Sequence, residues 1–498
     1  VRPADTAQIA AVVVLANELR LPVVPFGGGT GVMGAVIPLA SGIAIDVRRM
    51  NRVLAIEREE RLAVVQPGVV LADVGAAAAV QGLQLAHDPW SVPIATVGGA
   101  ISTDSVGYRA GKYGSMGEQV VAYEAVLGDG AIVRTRPLVR QSSGPMLARL
   151  LSGAEGTMAI ITEATVKLFP EPEARAFATV GFSSFEDGFP AVTRLFDIGL
   201  VPAIVDLTEE EPGDDVQGFR CVLYLAFEGF REQVAAEHAR ALREAIGAGG
   251  VDLGPAATQR YWDTRHAIAE RWRDGTQPLR PTERWADHVT ARGWRPADYL
   301  HVSLPVTRVL EYKRFADSVA ERHGLQIRET AIWTDPRLFS VYLVDLNDAD
   351  PAEVAAGGGT PPLWQAVDEL LSAAIAMGGG VEYCHGLGTK LGAWAVQEWG
   401  DALLLVRRLK HAVDPNAPPR TTGGETGEGA AGDAEQGSKL SATLIDELAT
   451  QRRQILVGPK TIFPARVRLL PTPLGVEKPL GDVAVLPGLM NDTRNHNE

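Results

Sequence analysis

The chain has 498 residues, a formal net charge of −14, 46% hydrophobic and 22% charged residues. That length supports roughly two to four structural units with sizeable cores. The acidic balance and the absence of a long Lys/Arg run argue against nucleic acid or an anionic membrane as main partner. No apolar run reaches the roughly 18 residues that a membrane span needs. The only cysteines, Cys221 and Cys384, make no disulfide framework, so a reducing cytoplasm is expected.

Residues 3–21 read as an amphipathic helix with Thr6 as a candidate cap and Ile9, Val12, Val13, Leu15 and Leu19 as apolar positions. Short strands follow at 21–25, 43–46, 53–56 and 62–65, then a helix at 71–81. Between the first two strands stands Pro25-Phe26-Gly27-Gly28-Gly29-Thr30-Gly31-Val32-Met33-Gly34, with five glycines in eight positions. Such a loop either is a plain glycine-rich turn or forms a nest of backbone N–H groups for an anion such as a pyrophosphate. Gly29-x-Gly31-x-x-Gly34 also fits the dinucleotide fingerprint, which requires a helix directly after the turn. Pro38 and Gly42 leave no room for one, and the next apolar run, 43–47, reads as a strand, so that match is accidental.

A second cluster runs from Asp88-Pro89-Trp90-Ser91 through Thr96-Val97-Gly98-Gly99-Ala100-Ile101-Ser102-Thr103 to Lys112-Tyr113-Gly114. A hairpin is expected over 122–135 with Gly128-Asp129-Gly130 as its turn. Gly153-Ala154-Glu155-Gly156-Thr157 then leads into a strand pair, 159–162 and 164–168. After Pro170 the texture changes. Strand-like runs at 177–182, 221–227, 299–304 and 339–344 alternate with charged helices at 230–246 and 308–323, which reads as a separate α+β unit with an antiparallel sheet. Glycine returns in Met377-Gly378-Gly379-Gly380-Val381-Glu382-Tyr383-Cys384-His385-Gly386-Leu387-Gly388.

In this order, Pro25-Phe26-Gly27-Gly28-Gly29-Thr30-Gly31, Thr96-Val97-Gly98-Gly99-x-Ile101-Ser102-Thr103, Lys112-Tyr113-Gly114, Gly153-x-Glu155-Gly156-Thr157-x-x-Ile160-Ile161 and His385-Gly386-x-Gly388 resemble flavoproteins of the vanillyl-alcohol oxidase / p-cresol methylhydroxylase type. The similar branch carries an FAD-linked oxidase C-terminal domain. It includes the flavin-bearing component of glycolate oxidase, D-lactate and D-2-hydroxyglutarate dehydrogenases and alkyldihydroxyacetone-phosphate synthase. The resemblance covers about residues 1–415. It implies an α+β architecture: a two-subdomain FAD-binding domain (1–172), an antiparallel-sheet, ferredoxin-like cap (173–375) and a segment closing the flavin site (376–415). Residues 416–439 read as a flexible linker and 440–498 as an extension outside the family pattern.

The resemblance implies that Pro25, Gly27, Gly28, Gly29, Thr30 and Gly31, with Thr96, Gly98, Gly99, Ser102 and Thr103, hold the FAD pyrophosphate. It implies further cofactor contacts from Tyr113, Gly114, Glu155, Gly156, Ile160 and Ile161. The phosphate loop has no His, so the FAD is expected to be non-covalent; His87 is the one other candidate attachment point. Relatives place the His385 loop at the reactive face of the flavin, where His can deprotonate a substrate hydroxyl. Cys384 stands where hydroxy-acid dehydrogenases carry Glu and the synthase carries His. It is either a small buried hydrophobe or a reactive thiol. The segment 332–340 lacks the His ligands of the metal-using dehydrogenases, so no metal is expected.

Arg265 matches the position that grips a substrate carboxylate or phosphate in relatives, with a surface salt bridge as the alternative. His301 lies on a strand and faces either flavin or solvent, and Lys390 follows the His385 loop. The leading expectation is oxidation of a small 2-hydroxy acid or related alcohol by hydride transfer to flavin N5. His385, Arg265 and Cys384 would line the reacting centre, and the electron acceptor is unknown. The alternatives are synthase-like chemistry without net redox change, with Tyr342 and His385 as acid/base pair, and a degraded electron-transfer protein. A homodimer is a further expectation.

Overall fold

The computed structural model describes residues 1–140, 142–211, 216–275, 297–346 and 359–416. The expected linker and extension therefore lie outside the described residues, apart from Asn416.

Continuous β-branched runs build the first sheet. Its five strands lie in the order Val53–Glu57, Leu62–Val65, Ala159–Lys167, Val120–Leu127, Ile132–Arg134, antiparallel throughout. The strand pair expected at 159–168 is one strand, because Glu163 offers no turn chemistry and simply pairs with Glu124 in the ladder. Helix Leu71–Ala79 and the short helix Val97–Ser102 cover one face, burying Val74, Ala78, Val97 and Ile101 against Ala125, Ile161 and Val166. A parallel pair, Val23–Phe26 with Ile43–Asp46, stands beside it under helix Thr6–Leu19. That helix is capped by Asp5, whose carboxylate accepts the Gln8 N–H at 2.9 Å. Thr6, the expected cap, instead donates to Glu124 Oε1 at 2.5 Å. No helix follows the glycine loop: after Phe26 the chain turns until Ile43, as Pro38 and Gly42 require.

The second sheet has seven strands in the order Val251–Gly254, Ala174–Phe182, Cys221–Gly229, Ile204–Glu210, Leu325–Trp333, Leu338–Asp345, Ala297–Ser303. Strand periodicity splits its residues between two faces. Val180, Leu207, Leu223, Leu300, Ile332, Phe339 and Val341 face helices Phe185–Asp197, Arg231–Gly247, Val309–His323 and Pro362–Ala376 in the largest core. The alternate positions are polar or aromatic: Thr179, Asp206, Tyr224, Trp333, Tyr299, His301, Ser340 and Tyr342. An interior strand with a polar second face needs something to meet that face. What meets it is the first unit and the loop around His385. Among the described residues, no helix is long and apolar enough to cross a membrane.

Candidate active site

The glycine loop is pressed onto the start of helix Val97–Ser102. A Cβ on Gly27 would lie 2.4 Å from Thr96 Oγ1, and one on Gly28 would lie 2.6 Å from the Ile94 carbonyl. Thr96 caps the helix, and its Oγ1 accepts from Gly99 N at 3.4 Å and from Gly28 N at 3.3 Å. Gly29 has φ +69°, a left-handed turn that glycine makes without strain. Gly31 opens into free space, and Gly99 is exposed. Gly98 packs on Pro67, a Cβ there lying 2.8 Å from Pro67 Cβ, while Ser102 and Thr103 are half-buried along the same short helix. Gly156 closes over Pro25, where an added Cβ would lie 2.3 Å from Pro25 Cγ. These three loops thus form one cradle of backbone with almost no side chains, which suits a dinucleotide pyrophosphate.

Other expected cofactor contacts sit elsewhere. Ile160 and Ile161 are buried on opposite sides of their strand, in two different cores, so only their backbone could approach a ligand. Tyr113 packs edge-on against Phe169 at 4.7 Å and lies under Arg109, and Gly114 turns with φ +80° beside Glu118. Glu155 reaches across the molecule: its carboxylate accepts Leu387 N at 3.2 Å and Gly388 N at 3.0 Å. Burial pushes this carboxyl up, the two N–H groups oppose the rise, and nearby Glu382 adds to it.

The His385 loop lies where both units meet. Val106 N donates to Cys384 O at 3.4 Å, and Cys384 Sγ donates to Val106 O at 3.6 Å. Tyr383 N donates to His301 O at 3.1 Å, and Lys390 N donates to Met33 O at 3.2 Å. Glu382 accepts the N–H groups of Cys384 at 2.7 Å and His385 at 3.0 Å, and its Oε1 is 3.5 Å from His385 Nδ1. Burial lowers the His385 pKa, but the Cys384 sulfur and the Glu382 carboxylate outweigh it and raise the ring to about 10.

His301 faces the site rather than solvent. Its ring is 4.7 Å from that of His385 and 4.4 Å from Tyr299. Its Nδ1 bonds Ser340 Oγ at 2.8 Å, and Ser340 Oγ bonds Tyr383 OH at 2.7 Å. Burial, with His385 and Lys390 nearby, holds His301 well below the usual histidine range. Tyr342 lies against Tyr299, ring centroids 5.4 Å apart, and Tyr299 and His301 stand between it and His385. Lys390 pairs with Asp298 at 2.5 Å. Next to this cluster Asp206, bonded to Thr208, is pushed up to about 6 by burial.

Arg265 is engaged by a residue of the first unit. Its Nε donates to Asp88 Oδ2 at 2.9 Å, its Nη2 to Asp88 Oδ1 at 3.4 Å and its Nη1 to the Trp262 carbonyl. It also stacks on the Trp262 ring at 4.1 Å. Asp88 further accepts Arg109 Nε at 3.2 Å, and His266 Nε2 lies 2.8 Å from it. Burial opposes ionisation of Asp88, yet Arg109, His266 and Arg265 together hold it well below the usual carboxylate range. Arg109 continues to Glu228 at 3.2 Å, which also accepts Arg175 Nε at 3.0 Å. This buried ion network joins the two units. His87, beside it, bonds Ser105 Oγ at 2.8 Å and is held neutral by burial, at about 4. Sequence reading assigned no role to Asp88, Arg109, Glu382 or Tyr383, although Asp88 opens the second cluster and Glu382 and Tyr383 stand in the glycine-rich run before His385. Among the described residues, no three His, Cys, Asp or Glu side chains converge as metal ligands.

A glycine cradle beside a small sheet, a cap whose antiparallel sheet turns a polar face to it, and a histidine loop at their junction define a two-unit flavoprotein architecture. Residues 1–136 match the FAD binding domain family and residues 171–417 match the family of FAD linked oxidases, C-terminal domain. The chain belongs to the FAD-linked oxidases and dehydrogenases, and FAD is its cofactor. It is 29% identical to a D-lactate dehydrogenase of Archaeoglobus fulgidus over 426 residues, 83% of this chain and 88% of that one. It is 27% identical to the glycolate oxidase subunit GlcD of Bacillus subtilis over 429 residues, 83% of this chain and 86% of that one. Its fold matches an alkyldihydroxyacetonephosphate synthase structure at a TM-score of 0.64 and 21% identity, covering 84% of this chain and 76% of the other. A p-cresol methylhydroxylase structure matches at 0.63 and 20%, covering 84% and 86%.

Proposed function

We propose that this enzyme oxidises the CH–OH group of a small 2-hydroxy acid, using non-covalently held FAD. The observation that carries the reading is the half-buried His385 imidazole, its Nδ1 3.5 Å from the Glu382 carboxylate and the ring set between the glycine cradle and the polar sheet face. When bound, FAD supplies a hydride acceptor that no side chain can provide. Gly27, Gly29 and Gly31 would hold its phosphates through backbone N–H groups, and the Thr96 hydroxyl, which accepts from Gly28 and Gly99 N, would donate its own proton to them.

Glu382 keeps the Nδ1 side of His385 turned towards itself, so Nε2 is the atom that receives the substrate hydroxyl proton. Three of the five guanidinium N–H groups of Arg265 are engaged by Asp88 and Trp262 among the described residues. The other two can orient a carboxylate, and the Trp262 ring below them excludes water. The polar face of His301, Ser340 and Tyr383 closes the substrate space opposite. The synthase-like alternative has less support, because the Tyr342 ring packs on Tyr299 while His385 packs on His301.

The test is anaerobic titration of the purified protein with D-lactate, glycolate and D-2-hydroxyglutarate. Bleaching of the flavin bands by one of these acids supports the reading. A flavin that none of them reduces refutes it.

A further inference from the structure

We propose that Glu155 is the positioning residue for His385: it ties the flavin cradle of the first unit to the loop that carries the histidine. The inference rests on His385 being the reactive group, as argued above. Glu155 sits in the strand-entering loop whose other residues complete the cradle. Gly153 N donates to Ile101 O at 3.1 Å, Glu155 N donates to Ser102 O at 2.7 Å, and Gly156 packs directly on Pro25. The backbone of Glu155 is thus fixed to both glycine-bearing segments. Its side chain points the other way and takes the N–H groups of Leu387 and Gly388, more than 230 residues along the chain.

Three further observations fit a dedicated clamp. First, Glu155 has φ +47°, a left-handed backbone that favours glycine, and it stands between Gly153 and Gly156, both also left-handed. A side chain kept at such a position has a use for its carboxylate. Second, Gly386 has no room for a side chain, because a Cβ there would lie 2.4 Å from Glu155 Oε1. The loop is shaped around the carboxylate. Third, the other end of the loop is held in the same manner, with Glu382 taking the N–H groups of Cys384 and His385. Two carboxylates, Glu382 buried and Glu155 half-buried, therefore grip successive amides on both sides of Gly386. The inner one belongs to the loop, and the outer one belongs to the cofactor's own domain. His385 is held where the cradle dictates, and a change in the cradle reaches it through Glu155.

The experiment compares the FAD-loaded wild type with Glu155→Ala, Glu155→Gln and Glu155→Gly. Amide hydrogen exchange is followed over residues 384–390, FAD content is measured by absorbance, and flavin reduction by D-lactate is timed. The expected result is unchanged FAD content, with the Leu387 and Gly388 amides exchanging about tenfold to hundredfold faster in the Ala variant. The Gln variant, which keeps one acceptor oxygen, falls between. The Gly variant relieves the backbone and so keeps or gains thermal stability, yet loses the amide protection like Ala. With D-lactate, the maximal reduction rate falls while half-saturation changes little. Unchanged exchange in the Ala variant would overturn the proposal. So would protein that purifies without FAD while loop exchange stays slow, since Glu155 would then be a cofactor ligand. If D-lactate fails, glycolate or D-2-hydroxyglutarate takes its place; if none of the three reduces the wild type, the proposed substrate class is at fault, and the exchange data still decide the role of Glu155.

Discussion

Replacing Glu382 by Gln removes a charge while keeping an oxygen that can accept the Cys384 and His385 N–H groups, so it isolates the electrostatic role of this side chain. In the wild type the carboxylate oxygen is 3.5 Å from His385 Nδ1, and the Glu382 side chain is only 2% exposed. At that distance and an effective dielectric of about 20, the attraction amounts to roughly 5 kcal/mol, or between 3 and 4 pH units. The His385 ring, raised from 6.5 to about 10 by Cys384 and Glu382 against the effect of burial, carries a comparable total. With Cys384 providing part of the rise, Glu382→Gln is expected to lower the His385 pKa by about 1–3 units. Loss of the negative charge destabilises the imidazolium, so the neutral, proton-accepting ring appears at lower pH. At pH 7 only about one wild-type ring in a thousand is neutral. The variant should therefore reduce its flavin faster near neutrality and reach its plateau at lower pH. The assay is ¹³C-histidine NMR titration of the FAD-loaded protein, assigned with His385→Gln, beside the pH profile of anaerobic reduction. A pKa that stays put or rises would refute the electrostatic account. The same linkage acts on folding. A raised pKa stabilises the folded chain fully below about 6.5, and this contribution disappears as pH climbs through about 10.

Three further outcomes are expected. Gly28→Ala drives a methyl to 2.6 Å from the Ile94 carbonyl and should weaken FAD binding about fivefold to a hundredfold, whereas Gly75→Ala, in helix Leu71–Ala79 away from the cradle and with nothing within 4 Å, should bind FAD normally; fluorescence titration of the FAD-free protein distinguishes them. Asp88→Asn leaves the half-buried Arg265 without a carboxylate and Arg109 with Glu228 alone, and should cost about 3–5 kcal/mol, read as a lower melting temperature. Because the folded-state pKa of Asp88 is depressed, its contribution is present above the ordinary 3.8 and fades as pH falls, so wild type and variant should converge in acid. Ser340→Ala strands His301 Nδ1 and Tyr383 OH and should destabilise by about 1–3 kcal/mol in denaturant unfolding; no change in midpoint would mean the chain of hydrogen bonds is idle.

The glycine cradle was legible because glycine announces backbone geometry locally: Gly27 to Gly31 after an apolar strand, then Gly98 and Gly99 beside Thr96. The exclusion of a helix after Gly34 followed from Pro38 and Gly42 for the same reason. The alternation Tyr299, His301, Ser303 against Leu300, Val302, Leu304 placed a strand, but not which face met the site, since period two is silent on direction. The long strand Ala159–Lys167 reads as two because Glu163 interrupts its apolar run, while its ladder partners lie some forty residues earlier. Asp88 was invisible as a hub. Its partners stand at 109, 265 and 266, and only the fold brings them to one carboxylate. The grip of Glu155 on Leu387 and Gly388 was hidden for the same reason.

The seven-stranded sheet separates two kinds of evolutionary change within single strands. Along Leu338–Asp345, Phe339, Val341 and Leu343 belong to the core, while Ser340 and Tyr342 lie on the polar face that the proposed function turns to the substrate. On that proposal, mutation at the first set acts on folding alone, and mutation at the second acts on the chemistry as well. On the proposed function such a scaffold shifts substrate preference through its polar-face residues at the cost of about a hydrogen bond each, as at Ser340, while Phe339, Val341 and Leu343 keep the core intact.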